Sequence, residues 1–294
     1  MLKKKGEITS QQLVIIIILV ISFAVILFFI WRLNLGETTE KEICHNSVVS
    51  RGSSALKDAT PLSCHTEYIC ITQDGTCEGL TNPKIFKTAN KPEVFKVLAD
   101  QMYDCWWMFG EGKINYVGSD LLGELYCSIC SQIYFDNSIK TIPDFKSGQL
   151  DKKEIYSFLT TEKFNQEQTY SEYLYGTNDL TEIKKSMQEN HIEFGPINLD
   201  KQQYVMMGIT SKVSKLTWFV AGVPAGIALG FIMPPVGIGL IYGTIVGTIG
   251  GTGGYFLGLI HEGKSGNEYL SPSIVEASSD EFNKFKCKSV ETYA

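Results

Sequence analysis

The sequence is short of positive charge. Lys and Arg number 26 against 32 Asp and Glu over 294 residues, a formal net charge of −6, and the longest basic run is residues 3–5. Neutralising phosphates needs clustered Lys and Arg, so nucleic acid is not an expected partner. The metalloprotease pattern HExxH and the hydrolase elbow GxSxG are absent, and His45, His65, His191 and His261 are scattered without two-ligand helix spacing. Only one CxxC occurs, Cys127 to Cys130, whereas a zinc ribbon uses two. No catalytic residue, metal site or cofactor is expected.

Two stretches lack charge altogether. Residues 13–31, LVIIIILVISFAVILFFIW, would reach roughly 28 Å as a helix at about 1.5 Å per residue, close to the hydrocarbon thickness of a bilayer. Lys3, Lys4 and Lys5 precede this run, and after Arg32 comes the acidic ETTEKE. The positive-inside bias therefore puts residues 1–12 in the cytoplasm and the bulk of the chain outside. A cleaved secretory signal has a shorter apolar core followed by small residues, but this run ends in FFIWRLNLG, so an uncleaved anchor is expected. With Lys3, Lys4 and Lys5 set against Glu7, the first 31 residues carry +2, which leaves −8 for the remainder.

The second stretch, residues 216–260, has 45 uncharged residues. Pro234 and Pro235 divide it into arms of 18 and 25 residues, long enough for two membrane helices joined by a turn. Gly222, Gly226 and Gly230 recur every fourth residue in the first arm, and Gly239, Gly243, Gly247 and Gly251 in the second. In water each glycine costs a helix about 1 kcal/mol relative to alanine. In lipid, small residues at this spacing let helices approach closely. The expectation is a transmembrane helical hairpin packed through its glycine faces. A hairpin shielded until it inserts, and a buried core element, are the other two readings.

Cys44, Cys64, Cys70, Cys77, Cys105, Cys127, Cys130 and Cys287 all follow the first apolar run. An even number on the expected outer side reads as a disulfide framework, with 105 full pairings open. Residues 32–89, rich in turn formers, read as a cysteine-rich lobe held by staples. Cys127 and Cys130 also have the spacing of a thiol-disulfide redox pair, although DLLGELY before them reads as helix rather than as a strand leading to a helix start.

Residues 90–215 read as an α+β ectodomain. Asn90 before Pro92 marks a helix start, and Val94, Leu98, Met102, Cys105, Trp106 and Phe109 recur at helical spacing as far as Gly110. Cys105 is placed to tie this helix to another element. Further helices are expected around Ile155, Phe158 and Leu159, and around Leu180, Ile183 and Met187. Strands are expected at residues 113–117, 132–135, 203–210 and 273–275. Residues 261–294 read as a strand and a helix capped by Ser279 or Asp280. If residues 203–210 and 273–275 pair, the hairpin is an insertion between neighbouring strands.

The flank KKKG, then Glu7, Thr9 and Gln11 before the apolar run, is similar to the start of archaeal type IV pilin precursors, with all three of that pattern's polar positions substituted. This resemblance covers about the first 30 residues. It implies cleavage after Gly6 and a cell-surface filament subunit. KEICHNSVV, DCWWMFGEG and YCSIC resemble segments of membrane-anchored proteins of DPANN archaea, over about half of the chain, which implies no activity.

The expected protein is a non-enzymatic, disulfide-stabilised extracytoplasmic domain on a membrane anchor. It assembles through its hairpin, as a homo-oligomer or with other envelope proteins, into a structural or membrane-remodelling complex. The alternatives are a pilin-like filament subunit and an extracytoplasmic thiol oxidoreductase using Cys127 and Cys130.

Overall fold

The computed structural model describes residues 10–32, 39–53, 61–117, 125–176, 178–179, 196–210, 242–247, 256–262, 267–277, 282 and 287–289. Gly6, Gly222, Gly226, Gly230, Gly239 and Gly251 lie outside them, as do Leu180, Ile183, Met187 and the cap residues Ser279 and Asp280. The chain divides into two compact units, residues 1–42 and 43–294.

In the first unit, helix α1 runs from Ser10 to Arg32, 23 residues. The large apolar side chains described along it are 47–63% exposed. No helix among the described residues is long and apolar enough to cross a membrane. In α1 the side chains are described without a break only from residue 13 to residue 28.

The second unit is an α+β fold around a mixed sheet. Helix α2 (Thr39–Ser53) begins in the first unit and ends in the second. There follow β1 (Glu67–Thr72), β2 (Lys84–Lys87), α3 (Lys91–Met108), β3 (Tyr126–Phe135), β4 (Gln149–Asp151), α4 (Lys152–Thr161), α5 (Tyr170–Tyr175), β5 (Pro196–Asn198), β6 (Gln203–Thr210), β7 (Tyr242–Gly247), β8 (Phe256–Glu262), β9 (Glu268–Glu276) and β10 (Lys288–Ser289). Seven strands lie in the order β2-β1-β3-β6-β9-β8-β7, and β10 joins β3. β1 is parallel to β2 and β3, while β3, β6, β9, β8 and β7 are successively antiparallel.

Strand β3 is central. β6 takes one of its edges, and the other is shared between β10 at Tyr126 and Cys127 and β1 from Ser131 onward. Between them the Thr66 hydroxyl donates to the Ile129 carbonyl at 3.0 Å, which supplies a partner where the ladder is interrupted. On one face Ile133 and Phe135 join the main core with Val205, Met207 and Ile209 of β6 and the buried side of α3. On the other, Leu125, Cys127, Met206, Leu270 and Val275 form a smaller cluster.

Helix α3 follows its sequence signals. Asn90 caps it, accepting from the Glu93 amide at 3.0 Å, and the Glu93 carboxylate accepts from the Ala89 amide at 2.7 Å. Val94, Leu98, Met102, Cys105 and Trp106 are buried at helical spacing. α4 covers the expected Ile155, Phe158 and Leu159. β6 and β9 pair antiparallel, so the uncharged segment is indeed inserted between adjacent strands. Gly208 in β6 is a close approach, because a Cβ there would lie 2.9 Å from Leu125 Cδ1 and 3.3 Å from the Tyr126 carbonyl oxygen.

Three expectations are corrected. Residues 113–117 form no strand; the Tyr269 hydroxyl donates to the Ile114 carbonyl at 2.7 Å, so this extended piece is held by a side chain instead of a ladder. The stretch read as a cysteine-rich lobe contributes helix α2 and strands β1 and β2, the strands belonging to the main sheet. The second arm of the expected helical hairpin is extended where it is described: β7 and β8 pair from Tyr242–His261 to Gly247–Phe256. Thr244, Ile245 and Val246 are β-branched, and the glycines that weaken a helix are no obstacle to a ribbon whose backbone is paired. Gly243 and Gly247 therefore share one face of β7, not a helical stripe. On that face Gly243 stands opposite Ile260, Ile245 opposite Gly258, and Gly247 opposite Phe256.

Pairing of β8 with β9 covers Leu270, Tyr269 and Glu268 and goes no further. Pro272 follows two residues later, at the irregularity where β9 also shifts register against β6, and it has no N–H to offer.

All eight cysteines are paired: Cys44–Cys64, Cys70–Cys77, Cys105–Cys130 and Cys127–Cys287. The first joins α2 to the segment before β1, the third ties α3 to β3 as expected of Cys105, and the fourth spans 160 residues. On a chain-entropy account, removing Cys127–Cys287 by double alanine substitution costs about 5 kcal/mol and removing Cys70–Cys77 about 2 kcal/mol. Denaturant titration followed by tryptophan fluorescence measures both, and equal losses contradict the account.

Candidate functional site

Cys127 and Cys130 sit three residues apart on an extended strand, so they serve opposite faces. Cys130 is in the main core and Cys127 in the smaller cluster. Each bonds to a distant partner, and they lie on β3 rather than at a helix N-terminus. Neither is a thiol as the chain stands, so neither carries the activated thiolate of a redox motif.

The interrupted edge of β3 opens a cleft of about 140 Å3 lined by Cys44, Cys64, His65, Cys127, Ser128 and Cys130, among others. Three disulfides thus border one cavity. Ser47 braces this corner: its hydroxyl donates to the Cys44 carbonyl at 2.7 Å and accepts from the Ser63 amide at 3.0 Å. Ser128 meets the buried Tyr116 hydroxyl at 3.3 Å. Among the described residues no group of three or more His, Cys, Asp or Glu could hold a metal ion.

Above this corner α3 ends in an unusual turn. Gly110, Glu111 and Gly112 all have positive φ, 79°, 54° and 69°. A glutamate in the left-handed region costs about 1 kcal/mol or more, so other interactions must hold it there. The Glu111 amide donates to the Trp106 carbonyl at 2.9 Å, and its carboxylate accepts from Lys113 and, at 2.6 Å, from the Tyr173 hydroxyl. Burial pushes the Glu111 carboxyl upward, but the hydrogen bonds from Lys113 and Tyr173 outweigh it and hold the group below its ordinary range.

Tyr173 belongs to an aromatic seam between α3 and α5. Tyr103 lies 4.6 Å from Tyr173 and 4.9 Å from Phe164, centroid to centroid, and Phe164 lies 5.8 Å from Tyr170. The Tyr170 hydroxyl donates to Asp100. Burial, then the Asp100 or Glu111 carboxylate, pushes both Tyr170 and Tyr173 well above the ordinary tyrosine value. One turn along α3, Trp107 stacks on His45 of α2 at 4.3 Å and 11°, and His45 Nδ1 is 2.8 Å from the Trp107 carbonyl oxygen. The tyrosines are neutral donors and packing surfaces at neutral pH, and the arrangement of all these rings fastens α2 and α5 to α3.

The sequence also contains a phosphate-loop pattern. Residues 258–265, GLIHEGKS, match GxxxxGK[ST], the phosphate-loop signature. Gly258, however, lies within β8 opposite Ile245, and the chain passes from β8 to the antiparallel β9. Gly263, Lys264 and Ser265 of the pattern lie outside the described residues. The His45–Trp107 stack and the Glu111 turn were also not foreseen; the only local trace is FGEG, whose flanking glycines signal an irregular turn. No family model, curated protein or solved structure matches this chain.

Two pH limits follow. A carboxyl depressed by folding contributes stability that is present above its unfolded value and lost as pH falls through its folded value. Glu111→Gln should therefore flatten the acid limb of a stability-against-pH curve. Tyr116, Tyr156 and Tyr175 are fully buried and raised by that burial, so their contribution is present below about pH 10 and lost above it, by about 1.4 kcal/mol per pH unit for each tyrosine that ionises only on unfolding. Urea titrations from pH 3 to 11 read both limbs, and an acid limb unchanged in the variant refutes the Glu111 assignment.

Proposed function

We propose that this chain is a membrane-anchored extracytoplasmic protein of the cell envelope with a structural, non-enzymatic role. The observation that carries this reading is the complete pairing of the eight cysteines that follow helix α1. Disulfides persist in oxidising compartments and are rare in the cytosol, so four of them favour the outer side. The apolar side chains described along α1 are exposed and suit lipid rather than water, and the uncharged run at residues 13–31 matches the length that a bilayer core requires of a sequence.

The candidate site supports a holding role. Its sulfurs are closed in disulfides, its tyrosines are held neutral, and its distorted glutamate is used up in fixing α5. The uncharged segment 216–260 is the part through which copies assemble, and the register of its ribbon sets a glycine opposite a large residue at the pairs Gly243–Ile260, Ile245–Gly258 and Gly247–Phe256.

Cells labelled with a membrane-impermeant thiol reagent before and after reduction test the location. No labelling before reduction and strong labelling after it is expected, with the chain retained in membranes through alkaline carbonate and released by detergent. Labelling of the untreated chain, or its recovery in the soluble fraction, overturns the reading. Blue-native electrophoresis of Gly243→Leu with Gly247→Leu tests the assembly, and an unchanged oligomer size counts against it.

A further inference from the structure

The sheet's strand directions define two poles, and the registers show which residues share each. Tyr126 at the start of β3 pairs with Ile209 at the end of β6 and with Lys288 of β10. Thr210 pairs with Glu268 at the start of β9, Glu268 with Glu262 at the end of β8, and His261 with Tyr242 at the start of β7. All of these lie at one pole. The C-terminal end of α3 is there too, because Trp106 meets Tyr269 edge-on at 6.4 Å and Tyr269 bonds to Ile114. So is α2: His45 stacks on Trp107, and a Cβ on Gly52 would lie 2.1 Å from Ile114 Cγ2. The other pole holds the ends of β1, β2 and β3 and the starts of α3 and β6, linked by bonds such as Asp136 N to Ile71 O at 2.9 Å and Thr88 N to Thr72 O at 2.8 Å.

The second unit begins at Ile43, on α2, at the first pole. Thr210 and Tyr242, which flank residues 211–241, lie at the same pole. Both connections from the folded domain to uncharged sequence thus emerge at one end, although they are far apart in the chain. The exposed surface there suits a lipid interface. Ile43 and Val49 are 50% and 39% exposed, and Trp107 and Tyr126 are partly exposed amphipathic rings of the kind enriched at headgroup level.

We infer that this pole, formed by α2 from Ile43 onward, the turn at residues 109–117 and the first residues of β3 and β9, is the surface that the ectodomain lays against the bilayer. The β1, β2 and β3 ends then face away from the membrane. The partner is the lipid headgroup region itself. This inference rests on the membrane-anchored reading and adds an orientation to it.

The test uses the full chain in nanodiscs of phosphatidylcholine and phosphatidylglycerol, with p-benzoylphenylalanine introduced at Val49, at Lys113 or at Lys146. Lys146 lies on the opposite pole, two residues before Gly148, whose carbonyl accepts from the Leu199 amide just ahead of β6. After irradiation, lipid adducts are counted by intact-mass spectrometry. Several-fold more adduct from positions 49 and 113 than from 146 is expected. Equal yields, a higher yield at 146, or no adduct at any position in a chain that sediments with the discs overturns the orientation while leaving the anchor in place. A chain that fails to join the discs at all overturns the anchored reading, and the inference falls with it. The number of free thiols in each variant, expected to be zero as in the parent, verifies that the domain is folded.

Discussion

The fold depends on what is asked of β3. It is bonded along both edges, by β6 on one side and by β10 and β1 on the other, and cross-linked from both faces, to α3 through Cys130 and to the C-terminal segment through Cys127. A strand buried on two faces needs apolar cover on each. The helical side supplies a large core and the other side a much smaller cluster. Where cover is thin, a covalent bond limits the unfolded chain instead, and the longest loop closure in the protein lies on the thin side.

Much of the helical layer was legible because its signals are local. Asn90, Pro92 and the spacing from Val94 to Trp106 specify a start, a face and a length without reference to the rest of the molecule, and α3 has them all. β6 and β9 were legible as strands because each is apolar and bounded by polar turns. Their pairing is not fixed by either strand alone; once it forms, the segment between them becomes an insertion. The connectivity of the cysteines was not legible, since it depends on contacts between residues 7 to 160 apart in the chain.

Other misreadings share one cause. An uncharged, glycine-spaced stretch fits both a lipid-embedded helix and a paired ribbon, and the choice at residues 242–247 rests on whether a partner edge is at hand. β9 provides that edge for β8, and β8 for β7. The CxxC pattern likewise describes chemistry only on the right scaffold, a helix start, and here it falls on a strand. The Glu111 turn and the His45–Trp107 stack escaped because each joins residues from separate elements. Their effect is mechanical: they bind short helices to the long one at the end where the domain meets the rest of the chain.

The Cys127–Cys287 bond also constrains how the protein is made. Its two halves are 160 residues apart, with the whole uncharged segment between them. During synthesis Cys127 emerges almost together with Cys130 and long before Cys287, so it must stay unpaired, or be rescued from a premature neighbour, until nearly the entire polypeptide has been delivered. Closure of this last staple therefore has to wait until the whole uncharged segment has been made and the chain beyond it has come back to β3.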